Sequence, residues 1–260
     1  MYKYGICELL GVPVRKQPSD QSEMVNQLIF GDLVIIIDTK GSWFLINSQH
    51  DNYEGWVDVK QIRIIEKHQF EEFCNDKAVF FSDIYGHAIS QNGKSLNIVL
   101  GSRLPNYQNN SITIADDIYS IEGNIQTEIP EASGKNIINL GLKYLGSPYL
   151  WGGRSPFGID CSGFIQNVFR LQGIYLKRDS NQQVENGTTI NFVNEAMAGD
   201  LAFFDNEDEK ITHVGIIIDN KRIIHASGEV RIDTIDHQGI YNEERKTYTH
   251  KLRIIKRIIE

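Results

Sequence analysis

Several features that would place a protein quickly are missing from this chain. Its longest apolar runs, such as Leu33–Ile37 and Val214–Ile218, are far shorter than the ~20 residues a membrane-spanning helix needs. No membrane partner is expected. The start, MYKYGICELL, lacks the basic region, apolar core and small-residue cleavage site of a secretory leader. That points to the cytoplasm, unless a leader has been trimmed. Basic runs and arginine-rich helices are lacking, and the formal net charge is −8, so nucleic acid is not an expected partner. Cysteine is scarce: Cys7, Cys74 and Cys161. An odd number at wide spacing argues against a disulfide framework and suits a reducing compartment. With no CxxC or HxxxH pair, the expectation is no metal and no cofactor.

What is present is a soluble-protein composition, 41% hydrophobic and 23% charged over 260 residues, enough for one large domain or two to three small ones. The most informative stretch is Tyr149–Phe164, YLWGGRSPFGIDCSGF. Glycines and a proline crowd the approach to Cys161. Phe164, Ile165, Val168, Phe169 and Leu171 then follow at helical period. A loop therefore delivers Cys161 to the first turn of a buried helix, with Asp160 as its N-cap. Free N–H groups and the helix dipole favour an anion there, and a thiolate is one. The plain alternative is a small core cysteine.

Before that stretch, short apolar runs separated by turns fill residues 4–65, as in a small β-barrel. Ala78–Phe81, Ala88–Ile89, Ser95–Leu100, Ile112–Ile114 and Ile118–Ile121 predict a second one, after a short helix or irregular connection at EKHQFEEFCND. A linker is expected at Glu122–Ser133. Ser133 caps a helix carrying Ile137, Ile138, Leu140, Gly141, Tyr144 and Leu145 on one face. Downstream, Asp179-Ser180-Asn181 starts a short helix or loop. Leu201–Phe204, His213–Asp219, Arg222–Ser227 and Lys251–Ile258 read as strands.

HVGIIID and RIIHAS are joined by a tight turn around Asn220, a hairpin signature. If Gly215 opposes His225, then His213 and His225 are diagonal neighbours on one face, ~7–8 Å apart at the backbone. A slip of one residue would separate them. In that register Cys161 can attack a carbonyl, His213 can carry its proton, and His225 can orient His213.

These residues resemble the NlpC/P60 family of papain-like cysteine peptidases. The matching motifs are YLWGGRSPFGIDCSGF, RDS at 178–180, GDLAFF, THVGIIID and IIHAS. VPVRKQPSDQSEMVNQLIFGD, GSWFLI and YEGWV resemble a bacterial SH3-like module. The resemblance implies an α+β protein: two SH3-like barrels at 1–66 and 67–122, then a papain-like catalytic domain at 123–260. It also implies a triad of Cys161, His213 and His225, with the Cys161 N–H in the oxyanion hole. The subgroup resembled cleaves γ-D-glutamyl-diamino acid bonds in free murein tripeptides or tetrapeptides. By that likeness Tyr149, Asp160, Ser162, Asp179 and Ser180 line the pocket. Glu23 and Tyr53 of the first barrel would help hold a free L-Ala amine. A secreted hydrolase of intact wall and a non-catalytic wall-binding protein are the alternatives. Oligomeric state and the preferred diamino acid are not legible.

Overall fold

The computed structural model describes residues 3–259. They form two compact bodies: residues 3–129 with Trp151–Pro156, and Pro130–Leu150 with residues 157–259. Among the described residues no helix is long and apolar enough to cross a membrane.

In the N-terminal body, strands Lys3–Ile6, Gly11–Arg15, Met24–Ile29, Leu33–Lys40, Trp43–Ser48, Glu54–Asp58 and Arg63–Ile65 make one seven-stranded antiparallel sheet. Alternation within the strands sends Val12, Val14, Leu28, Val34, Ile46 and Val57 into a core that also holds Cys7. The Gly31-Asp32 turn needs its glycine. Gly31 has φ +84°, and a Cβ there would sit 1.9 Å from the Arg103 carbonyl oxygen.

Residues 67–122 depart from the expected second barrel with a core of its own. They give helix α1 (Lys67–Asn75) and a four-stranded antiparallel sheet ordered Ser95–Val99, Tyr85–Ser90, Asp117–Glu122, Ser111–Ile114. A capping box between Glu66 and Gln69 starts α1, which buries Phe70 and Phe73. Those rings join Ile98, Ile112 and Tyr119 in one core with Ile6, Phe30, Leu33 and Ile65 from the preceding segment. A four-stranded sheet has too little apolar surface to close on itself, and the neighbouring sheet supplies the rest. The linker is also shorter than expected, because Ile125–Gln126 pairs with Phe80–Phe81.

The C-terminal body is α+β. Helix α2 (Gly134–Leu142) starts where Ser133 Oγ accepts from the Asn136 N–H at 3.3 Å. Helix α3 (Cys161–Arg170) is buried along its whole length. It packs on the strands Ile211–Ile217 and Arg222–Ser227. Helix α4 is the short turn Ser180–Gln183. The antiparallel sheet runs Thr188–Ile190, Thr247–Arg257, Leu201–Asp205, Ile211–Ile217, Arg222–Ser227, Glu229–Ile235, Gly239–Asn242. The last of these pairs back onto Thr247–Arg257 and closes the sheet. Glu229–Ile235 and Gly239–Asn242 had no clear sequence signal. Glu229–Ile235 alternates three charged residues with Val230, Ile232 and Thr234, and Gly239–Asn242 is only four residues long.

Candidate active site

Cys161 is the first residue of α3, and the residues around it fix that start tightly. Asp160 Oδ1 accepts from the Gly163 N–H at 2.7 Å, the expected cap. Arg178 grips the same carboxylate bidentately, at 3.0 Å to Oδ1 and 2.6 Å to Oδ2, and donates to Ser162 Oγ at 2.8 Å. Arg178 and Asp160 are both buried. Removing one partner of such a pair leaves an uncompensated charge, at a cost of about 3–5 kcal/mol. Gln183, at the end of α4, ties this corner together by donating to the backbone oxygens of Ser162 at 3.0 Å and Lys177 at 2.8 Å.

The helix-start argument predicts an easily ionised thiol, and the structure reverses it. Burial, reinforced by the Asp160 carboxylate, pushes the Cys161 thiol up to about 12. The backbone N–H groups of Val214 and Ser162 and the Arg178 guanidinium pull the other way. The loss of water costs the thiolate more than the row of amides returns.

The hairpin has the register that joins the histidines: Gly215 opposes His225. His213 Nε2 lies 2.9 Å from His225 Nδ1, and both rings are buried. His225 Nε2 lies 3.1 Å from Asp233 Oδ2. Burial raises the affinity of Asp233 for a proton, but hydrogen bonds from His225 and Arg231 outweigh it, so the carboxyl is held below its usual range. Arg231 Nε at 2.8 Å and Asn242 Nδ2 at 3.4 Å complete its surroundings. An ionised carboxylate can only accept. His225 therefore carries its proton on Nε2 and presents the Nδ1 lone pair to His213. His213 donates through Nε2, and its own lone pair is on Nδ1. The relay thus fixes the tautomer of the outer ring from within. Burial first, then the neighbouring His225 and His250 rings, hold His213 well below the usual imidazole range, so it is neutral at rest. Val214, whose amide faces the Cys161 sulfur, is the next residue along this strand.

His250 arrives from the strand Thr247–Arg257 and stacks on His213, with ring centroids 4.1 Å apart and planes 25° apart. Its Nδ1 is 2.9 Å from Thr249 Oγ1.

The other expected residues are distributed as follows. Tyr149 is half-buried, and burial first, then the influence of Cys161 and Asp160, raises its phenol. The side chains of Asp160 and Ser162 are engaged with Arg178. Asp179 is half-buried at the start of α4, and Ser180 is its buried first residue. Glu23 and Tyr53 belong to the N-terminal body. Glu23 is exposed and accepts from Trp151 Nε1 at 3.0 Å and Lys16 Nζ at 3.3 Å. Tyr53 is half-buried, its N–H donating to Asp51 Oδ1 at 3.1 Å. Within that body Arg154 is fully buried and donates to Asp32 Oδ2 and the Gln27 carbonyl, each at 2.9 Å. Asp233, His250 and Arg178 were not singled out from the sequence. Asp233 had a usable signal. If a strand follows the Ser227-Gly228-Glu229 turn, Asp233 falls diagonally opposite His225. Arg178 had one as well, as the first residue of the RDS motif at 178–180.

A buried helix-start cysteine next to a strand that bears an imidazole relay is the arrangement of a papain-like cysteine peptidase. Residues 146–251 match the NlpC/P60 family, and residues 14–62 match the bacterial dipeptidyl-peptidase SH3 domain. The C-terminal body therefore carries an NlpC/P60 domain, the domain of a family of cysteine peptidases, with a bacterial SH3 domain ahead of it. It is 28% identical to a γ-D-glutamyl-L-lysine dipeptidyl-peptidase of Bacillus cereus over 86% of this chain and 74% of the relative. It is 25% identical to dipeptidyl-peptidase 6 of Lysinibacillus sphaericus over 89% of this chain and 92% of that one. A crystal structure of an NlpC/P60 family protein from Bacillus cereus has the same fold, with TM-score 0.83, 20% identity and coverage of 99% of this chain and 100% of that chain.

Proposed function

We propose that the chain is a cytoplasmic γ-D-glutamyl-L-diamino acid peptidase that acts on murein peptides with a free N-terminal L-Ala, in cell-wall peptide recycling. The observation that carries this reading is a combination. The relatives named for that bond align with 86% and 77% of this chain, and Cys161 meets the Val214 amide on the strand that carries His213 of the His213–His225–Asp233 relay. In this reading the Cys161 sulfur attacks the γ-carbonyl carbon of D-Glu while His213 Nδ1 takes the thiol proton. The Cys161 N–H at the start of α3 donates to the developing oxyanion. Collapse breaks the C–N bond, and His213 returns the proton to the leaving amine of L-Lys or meso-diaminopimelate. Water, deprotonated by the same nitrogen, then opens the thioester and frees L-Ala-D-Glu. The neutral resting pair means that proton transfer accompanies attack and does not precede it. His225 and Asp233 act as positioning residues.

Tyr149, Asp179 and Ser180 are the candidates for substrate contact. Asp160 and Ser162 contribute by fixing the nucleophile's helix. For the free amine, Glu23 and Tyr53 are the candidates in the N-terminal body. Glu23, exposed and already accepting from Trp151 and Lys16, has the charge for it.

The test is hydrolysis of L-Ala-γ-D-Glu-L-Lys and of its meso-diaminopimelate counterpart, each beside its N-acetylated twin, with Cys161→Ala as control. Cleavage of the free peptides alone is the expected result. Equal cleavage of the acetylated twins, together with release of peptides from intact sacculi, would replace this reading with a wall hydrolase.

A further inference from the structure

The local spacing of the sequence offers no metal motif, yet the closed sheet gathers three imidazoles from three strands. One candidate ligand nitrogen from each of His213, His225 and His250 lies within 4.8 Å of the other two. We propose that this cluster is an inhibitory site for a borderline divalent cation, zinc foremost, which switches the peptidase off by reversing the tautomer of His213.

Imidazole suits zinc, copper and nickel, whereas magnesium and calcium take oxygen. In a tetrahedral site with Zn–N bonds of ~2.0–2.1 Å, two bound nitrogens are roughly 3.3–3.4 Å apart. Rotations of the rings that close the widest gap by up to about 1.4 Å are what the site requires. Two of the outer nitrogens already have the partners that such a site uses. His225 Nε2 is held by Asp233 at 3.1 Å, a carboxylate–histidine pairing that leaves Nδ1 for the ion. His250 Nδ1 is held by Thr249 Oγ1 at 2.9 Å, leaving Nε2 as its ligand atom.

On binding, three N→metal bonds form and the His213 Nε2–H···Nδ1 His225 hydrogen bond breaks. The displaced proton moves to His213 Nδ1, so a neutral ring is kept and no net proton is released. That nitrogen is the one whose lone pair must receive the Cys161 proton. The enzyme is therefore silenced without any contact to the thiol. The inhibitory consequence rests on the reading of His213 as the base; the binding does not.

The experiment is zinc titration of the full chain in a Cys161→Ala background, against a chromophoric chelator. This removes the Cys161–His213 pair as a competing site. The expected result is one equivalent bound, weakened about 10–100-fold by Asp233→Asn. His250→Ala should weaken it by on the order of tenfold or more, and His250→Phe, which keeps a ring against His213, should match it. Magnesium should not compete. In the enzyme with its thiol, zinc should lower turnover of the free peptide, and His250→Phe should shift that inhibition to at least about tenfold higher zinc. Absence of binding in the Cys161→Ala protein would overturn the proposal, as would binding indifferent to both His250 variants. Tight one-equivalent binding with full activity retained would keep the site and remove its inhibitory role, and with it the assignment of His213 as the base.

Discussion

Cys7 and Cys161 make an instructive pair. Both are buried, Cys7 at 0% and Cys161 at 6% relative exposure. Burial raises both thiols as its largest effect. Each has a buried aspartate–arginine pair beside it: Asp32 with Arg154 for Cys7, and Asp160 with Arg178 for Cys161. The difference is in what else surrounds the sulfur. Cys7 sits among Val12, Leu28, Val34 and Ile62, with its sulfur 3.3 Å from the Leu9 carbonyl oxygen. Cys161 opens a helix and meets the Val214 amide on the strand that carries His213. Neither burial nor a neighbouring ion pair makes a nucleophile. A proton acceptor with a fixed tautomer, and amides aimed at the developing charge, do.

The strongest way to break this comparison is to exchange the consequences of the two thiols. Cys161→Ala should lower turnover of the free peptide by about 10⁴-fold or more with the fold retained. Cys7→Ala should leave kcat unchanged and cost about 1–2 kcal/mol of stability in urea denaturation. Activity surviving Cys161→Ala would end the assignment. Next in size is the ion pair that the two environments share. Arg178→Met should lower stability by about 3–5 kcal/mol, because Asp160 is left buried and unpaired. A urea midpoint within error of the parent would show that Asp160 finds another partner.

A smaller effect is expected behind the relay. Asp233→Asn lets His225 present Nδ1–H to His213 and should lower kcat by about 10²-fold with little change in KM. Asp233→Glu should recover part of that loss. An unchanged kcat and pH profile in the asparagine variant would make Asp233 merely structural. The smallest effects are in pH dependence, measured with chelator present. With the Cys161 thiol pushed up to about 12, its alkylation rate should go on rising through pH 9 and 10. A plateau near neutrality would mean a resting thiolate–imidazolium pair. His213 is held well below 6.5, and burial, its largest cause, with His225 takes His250 down to about 4. The folded state therefore prefers both rings neutral. Their contribution to stability is complete above pH 6.5 and is lost as pH falls from there toward 4 and below. Urea midpoints that stay level across that window would contradict the neutral cluster.

The sequence disclosed Cys161 and the His213–His225 pair better than the residues that hold them. Glycine-rich delivery, helical period and a tight hairpin are local signals, and they located Cys161, α3 and the His213–His225 register. The relay's far end is not local. Asp233 is on a strand whose alternation is polar, and His250 is brought in only when Thr247–Arg257 closes the sheet. The shared core of the N-terminal body was hidden for the same reason, since Phe70 and Tyr119 give no sign of which sheet they will cover. The thiol's ionisation was misjudged because a helix start is visible in sequence and the depth of its burial is not.

The most direct measurement traps the covalent intermediate. The enzyme is mixed with excess L-Ala-γ-D-Glu-L-Lys, quenched in acid within one turnover, digested and mapped by mass spectrometry. An L-Ala-D-Glu thioester on the peptide that contains Cys161, absent from those containing Cys7 and Cys74 and lost in Cys161→Ala, is the predicted result. Acylation at Cys7 or Cys74, or turnover with no acyl group on any cysteine, would contradict the account.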